Sequence, residues 1–450
     1  MKTQFAASKV LLVAIMIVAL GGALAADPAE GTGNPGAIAK VASADNDFGF
    51  RLLRTLTDGT GGNVIISPLS VSMALAMTYN GAAGETKAAM AKTLGIAQIG
   101  DEEVNQGNRD LLDSLKFNRI NTALSDVRKS AERAAQLHLS ASVADLFDIF
   151  KGAAPPVQVE IANAIWTQSG YSINPAFLKM NREYYDSPVE ALDFKSNPKG
   201  ASDRINSWTN KNTGGKIPSI IERIDPVTRL ALTDAVYFKG RWTNAFDSRL
   251  TKPGTFHLLN GSSVEVPMMT QLGEYSCEDY FPDRIAAGAA SFGVLRLPYG
   301  STEQFAMYIF LPHEPNGLPR LIPMLDERHW REWTSNLRNR EGGIILPRFE
   351  SNYGTQLSDA LKTMGMDAAF DEVKADFSRI HSAPLFISDV EHKTYLKVDE
   401  EGTEAAAATV ALATMGSSCS MEVDHPFFFA IADRQSGAIL FAGVVTNPAK

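Results

Sequence analysis

The stretch Gly402-Thr403-Glu404-Ala405-Ala406-Ala407-Ala408-Thr409 most limits the folds open to this chain, and it runs on as Val410-Ala411-Leu412-Ala413-Thr414-Met415. In an extended strand, alternate side chains share a face. One face then carries Thr403, Ala405, Ala407, Thr409, Ala411 and Ala413, all small and uncharged. Such a face fits a tight slot between two existing strands. Alanine also has the highest helix propensity. However, Gly402 and two β-branched threonines bracket the run, and no 3.6-residue apolar stripe crosses it. The residues alone leave a plain helix and a slot-filling strand both open.

The 450-residue chain is 45% hydrophobic and 21% charged, proportions that suit a soluble globular protein with a sizeable core. Its N-terminus reads as a secretory signal over residues 1–25. Lys2 and Lys9 precede an apolar run from Val10 to Leu20, and Ala23-Leu24-Ala25 forms the small-residue cleavage site. That run is shorter than the ~20 residues a membrane-spanning helix needs, so the mature chain is expected to start at Ala26, outside the cell or in a bacterial periplasm, with no membrane association. The signal carries two lysines and no acids, so its removal takes the net charge from −9 to −11. An acidic chain has no electrostatic footprint for nucleic acid. Two cysteines, Cys277 and Cys419, are too few for a disulfide framework. With Cys419 expected in an exposed loop, a bridge between them is not expected, and Cys419 reads as a free thiol.

Residues 26–44, rich in Ala, Gly and Pro, read as a flexible leader before a single domain over 45–450. The domain is expected to open near Asn46 with a short amphipathic helix. Ser67 and Pro68 then read as the N-cap and first turn of a second helix. Residues 117–156 stand out as a helix-prone stretch closing on Pro155-Pro156, long for a connection in a compact domain. Strand-like runs dominate the rest, among them Val157 to Trp166, Leu230 to Phe238, Ile344 to Phe349 and Tyr395 to Val398. Asn260-Gly261 between two such runs predicts a tight hairpin. Strands and helices without a regular βαβ rhythm predict an α+β fold.

From about Asn46 onward the chain resembles the serpin family in the order and spacing of its landmarks. These include Asn63 to Ser70, Ile205-Asn206-x-Trp208 with Thr213-x-Gly215-Lys216-Ile217, and Tyr237-Phe238-Lys239-Gly240-x-Trp242. They continue with Val266-Pro267-Met268-Met269, Leu346-Pro347-Arg348-Phe349, Ala375-Asp376-Phe377-Ser378 and Asp424-His425-Pro426-Phe427. The resemblance implies a serpin fold of three β-sheets with eight or nine helices, and an exposed reactive-centre loop over 400–421. It implies a suicide inhibitor of serine, and by extension cysteine, endopeptidases. The target forms a covalent acyl-enzyme with the cleaved loop, and the loop then inserts into the central sheet. The resemblance implies no enzymatic activity and no cofactor or metal, and it implies a monomer capable of loop–sheet polymerisation. A non-inhibitory carrier or chaperone is the alternative.

The resemblance also assigns roles. Glu400, Glu401, Gly402, Thr403, Glu404, Ala405, Ala406, Ala407, Ala408 and Thr409 form the hinge. Counting from Gly402 places the scissile bond after Gly416, before Ser417. Counting back from Pro426 places it between Met415 and Gly416, the choice favoured because a specificity pocket gains by filling with an apolar side chain. No Lys or Arg lies between Lys397 and Arg434, so chymotrypsin-, elastase- or subtilisin-like targets fit better than trypsin-like ones. Ser67, Ser70, Asp234 and His392 are placed together under the central sheet, and Trp242, Arg348 and Glu400 form a clamp at the loop entry. Serpins usually have asparagine where this chain has Asp234, and a carboxylate there is expected to favour a histidine cation. The quartet also has the residue types of a serine hydrolase, but no Gly-x-Ser-x-Gly elbow is present.

Overall fold

The computed structural model describes residues 34–115, 157–281, 290–400 and 419–450. Helix α1 covers Pro35–Thr57, capped by the Asn34 side chain and with proline in its first turn. It therefore starts well inside the segment read as a flexible leader, and residues 35–44 are corrected to helix. The misreading has a simple origin: the buried face at this end uses Ala37, Val41, Ala42 and Ala44, side chains too small to give a strong apolar stripe. Strand β1 (Val64–Ile66) runs into α2 (Pro68–Tyr79), where Ser67 Oγ accepts from the Ser70 amide. All of α2 is buried. Helix α3 spans Gly84–Leu94 and α4 spans 101–115.

The described strands form two hydrogen-bonded sheets. The five-stranded sheet has the order β10 (Phe349–Gln356), β11 (Ile387–Val398), β4 (Leu230–Gly240), β2 (Val157–Gln168), β3 (Val189–Leu192). The nine-stranded ladder includes β5 (Lys252–His257), β6 (Ser263–Tyr280), β7 (Phe292–Tyr299), β8 (Phe305–Pro312), β9 (Arg338–Pro347), β12 (Met421–Glu422), β13 (Phe427–Asp433) and β14 (Ile439–Val445), with β1 at its far edge. The smaller sheets implied by the family run together because the 18-residue β6 pairs with β5 at its start, with β9 in its middle and with β7 at its end. Asn260-Gly261 turns β5 into β6, with Gly261 at φ 82°, where glycine has no Cβ to clash.

Strand β4 is buried on both faces. Leu230, Leu232, Val236 and Phe238 join the main core shared with α1 and α2. Ala231 and Ala235 join a second cluster with Trp166, Ile205 and Ile217, covered by helix α5 (Pro198–Asn212). The fold is thus α+β, with a sheet sealed above and below.

The two cysteines are joined. Cys277 on β6 and Cys419 form a disulfide with their Cα atoms 6.1 Å apart, which corrects the expectation of a free thiol in an exposed loop. Cys419 is buried, its amide donates to Glu341 O at 3.0 Å, and two residues later the chain pairs in parallel with β9. The loop therefore ends before 419 rather than at 421. Sequence separation of 142 residues hid the pairing.

Candidate functional site

Strands β11 and β4 pair in parallel, with Ile387 aligned on Leu230 and Leu396 on Phe238, while β11 pairs antiparallel with β10 and β4 with β2. Parallel pairing is slightly the weaker kind. The chain leaves β11 at Val398 and reaches Glu400, the last residue described before the hinge. A segment that turned back between these strands would run antiparallel to both, replacing one parallel seam with two antiparallel ones. One face of such a strand would meet the main core and the other the second cluster, so small uncharged side chains suit it. The hinge residues Glu401 to Thr409, and Met415, Gly416 and Ser417, lie outside the described residues, as do the 1–25 signal and the 117–156 insertion.

Where the chain departs for the loop, its entry is pinned at three points. Arg348 Nη2 donates to Glu400 Oε1 at 2.7 Å, and Thr251 Oγ1 donates to the same oxygen at 2.7 Å. Trp242 Nε1 donates to Asp399 O at 2.8 Å. Trp242 is itself held by stacking on Tyr299, with ring centroids 4.3 Å apart and planes 14° apart. Thr251 and Tyr299 carry no local sequence signal for this role. They enter it because the chain after β4, the start of β5 and the end of β7 converge there.

Beneath the sheet, the start of α2 meets β2, β4 and β11. His392 and Asp234 are register partners across the parallel seam, and Asp234 faces Asn163 on the other side. His392 Nδ1 lies 3.0 Å from Asp234 Oδ1, and the Ser67 amide donates to His392 Nε2 at 3.2 Å. An amide can only donate, so Nε2 carries the lone pair and the proton sits on Nδ1, donated to the carboxylate. Asp234 Oδ2 is buried with no partner among the described residues. Ser70 Oγ donates to Asn163 Oδ1 at 3.0 Å, and Asn163 Nδ2 donates back to Ser70 O at 2.9 Å. Asn163 was not singled out from sequence; a polar residue within the apolar stretch Ile161 to Trp166 was the available signal.

The same geometry speaks against a hydrolase at this quartet. The imidazole nitrogen that would act as base accepts from a backbone amide, neither serine hydroxyl is bonded to it, and the His392 and Asp234 side chains are 0% and 1% exposed. Nothing there meets substrate.

Burial dominates the other perturbed groups near this core. Asp45 on α1 accepts from Ser72 Oγ, and desolvation pushes its carboxyl up to about 7. Glu391, one residue from His392 on β11, is likewise raised to about 7, first by burial and then by Asp389.

Comparison with known proteins places this architecture. The family model described as Serpin (serine protease inhibitor) matches residues 43–448. The chain is 35% identical to Serpin-Z2A of Triticum aestivum, over 89% of this chain and 94% of the relative. It is 33% identical to the leukocyte elastase inhibitor of Bos taurus, over 91% and 100%. Among solved structures it is similar to human thyroxine-binding globulin, at 25% identity and TM-score 0.75, over 92% of this chain and 99% of that one. With the five-stranded sheet, the loop entry and a match over nearly the whole chain in agreement, this chain belongs to the serpin family.

Proposed function

We propose that this protein is a secreted, suicide-type inhibitor of serine endopeptidases, with residues 401–418 as its bait and the β4–β11 seam as the destination of the cleaved strand. The observation that carries this reading is the match between that parallel seam, buried on both sides, and the small, uncharged face of Thr403, Ala405, Ala407 and Thr409 in the segment that follows Glu400. A protease that cuts after Met415 forms an ester with the Met415 carbonyl. Insertion of the segment from Gly402 onward then carries the acyl-enzyme away from the loop's original position. Deacylation needs preorganised oxyanion donors, and distortion of the protease during transit removes them. Similarity to a leukocyte elastase inhibitor and the absence of Lys or Arg in the bait both favour targets with apolar specificity pockets.

A carrier role has one relative in its favour, thyroxine-binding globulin. The hinge composition favours inhibition, because the face carrying Thr403, Ala405, Ala407 and Thr409 has neither bulk nor charge.

The test mixes the protein, without its signal, with chymotrypsin, pancreatic elastase and subtilisin. Products are resolved on denaturing gels and by intact mass. Inhibition is expected to give a complex that survives denaturant. The bond to Cys277 holds Cys419 and everything after it to the body, so the C-terminal fragment should separate only after reduction. Its mass locates the cut at Met415–Gly416 or Gly416–Ser417. Clean cleavage by all three proteases with no complex would overturn the inhibitor reading in favour of a carrier.

A further inference from the structure

Four strands of the nine-stranded ladder set a polar row across its surface. Register aligns Asn339 on β9 with Ser276 on β6, Ser276 with Arg296 on β7, and Arg296 with Tyr308 on β8. Arg296 Nη2 donates to Ser276 Oγ at 2.7 Å, and Ser276 Oγ donates to Asn339 Oδ1 at 2.6 Å. Arg296 makes no ion pair among the described residues, and its Nε is buried without a partner there. The neighbouring Glu303 lies 3.7 Å from Arg434 instead. Burial lowers the pKa of Arg296, and the charge of Arg434 lowers it further. A guanidinium nevertheless stays charged, so this cation loses water that no carboxylate beside it replaces.

The row lines a cavity of about 280 Å³, near the lower end of the roughly 300–1,000 Å³ usual for small-molecule sites. Trp242, Phe246 and Leu297 give it an apolar wall. That wall is held in place from behind. Trp242 stacks on Tyr299, and Gln271 Nε2 donates to Asn244 O at 2.8 Å and Ala245 O at 2.6 Å, tying the chain before Phe246 to β6. A cavity fixed in this way costs little to organise on binding. A guanidinium meets a carboxylate in plane through charge-assisted hydrogen bonds. Asn339, whose Oδ1 serves Ser276, offers Nδ2 as a second donor. Glu274 and Glu303 also line the cavity, and they repel a dianion more strongly than a monoanion.

We propose that this cavity binds a small organic monocarboxylate, with its carboxylate on Arg296 and Asn339 and its apolar body against Trp242 and Phe246. Inorganic phosphate shares the anionic chemistry but carries more charge past the two glutamates and brings nothing to the apolar wall. Occupation of the cavity does not depend on protease inhibition, so neither result below bears on that reading.

The experiment titrates the full mature chain by calorimetry with benzoate, 3-phenylpropanoate and octanoate, with the neutral 3-phenylpropan-1-ol, and with inorganic phosphate. The same titrations are run on Arg296→Gln, Asn339→Asp and Glu274→Gln, each first shown by its melting curve to be folded. Asn339 is exposed, and Asn339→Asp keeps the acceptor for Ser276 while placing a carboxylate in the cavity. It therefore tests the site even if Arg296→Gln does not fold. At least one acid is expected to bind saturably, about tenfold or more tighter than the alcohol or phosphate. Arg296→Gln and Asn339→Asp should each weaken that acid about tenfold or more, the worth of one charge-assisted hydrogen bond. Glu274→Gln should narrow the gap between the acid and phosphate. Saturation by none of the three acids, equal binding of the alcohol, or unchanged affinity in the folded Arg296 and Asn339 variants overturns the proposal. Tighter binding of phosphate than of every acid overturns it too, in favour of an inorganic-anion site.

Discussion

Asp45 supplies a quantitative test of how the core beneath the sheet is built. Its carboxyl is 2% exposed; Oδ1 accepts from Ser72, and Oδ2 has no partner among the described residues. Burial raises its pKa from 3.8 to about 7, opposed only in part by the Ser72 hydrogen bond. The folded state therefore holds this proton over a pH range where the unfolded chain has lost it. Stability from the protonated group is fully present below pH 4, declines as pH rises, and is gone above about pH 7. A shift of about 3 units corresponds to roughly 4 kcal/mol. Asp45→Asn keeps an acceptor for Ser72 but cannot ionise. The variant is expected to match the wild type near pH 4 and to exceed it at pH 8 by several kcal/mol, a midpoint rise of about 5 °C for a domain of this size. Unfolding of a metastable protein is governed by rate as well as equilibrium, so thermal scans of both proteins should be run at one fixed rate from pH 4 to 8. The difference between the two curves isolates Asp45 from Glu391, which titrates in the same range. A difference that stays flat across that interval would show that the carboxyl is not desolvated by the α1–α2 packing.

Three further outcomes follow from the same geometry. Ala407→Arg places an unpaired charge on the face that enters the sheet, at a cost of about 3 kcal/mol or more; if insertion bears that cost, it slows roughly hundredfold. Gels should then show cleaved inhibitor in place of complex, and an undiminished complex yield would refute insertion of this face. Glu400→Gln breaks an ion pair whose Arg348 side chain is 44% exposed, so its effect on stability should be only ~0–1 kcal/mol. Polymers on native gels after mild heating should nevertheless increase if the clamp gates the seam, and no increase would reduce it to an ordinary surface pair. Asp234→Asn removes a buried carboxylate with an unpaired oxygen while keeping an acceptor for His392 Nδ1, so the melting midpoint should rise by the equivalent of about 1–3 kcal/mol; a fall would mean that the charge is compensated after all.

Much of this protein was legible locally. The cap at Ser67 with Pro68 behind it, the Asn260-Gly261 turn and the small-faced run after Gly402 each depend on a few adjacent residues. Backbone propensity and side-chain size act at that range, and the ordered landmarks carried the family with them. Other features depend on residues far apart in the chain. The α1 start was missed because its buried face is mostly alanine, which reveals burial only once a partner surface exists. The hydrogen bonding of His392 is set by an amide 325 residues away, and the disulfide by an approach across 142 residues. The parallel β4–β11 seam likewise joins strands whose sequences say only that each is buried. The sequence by itself determined the small, uncharged face on which the proposed insertion rests. Tertiary structure alone decided where it would go and what holds its far end, because strand register, imidazole tautomer and thiol pairing are settled by neighbours that only folding brings together.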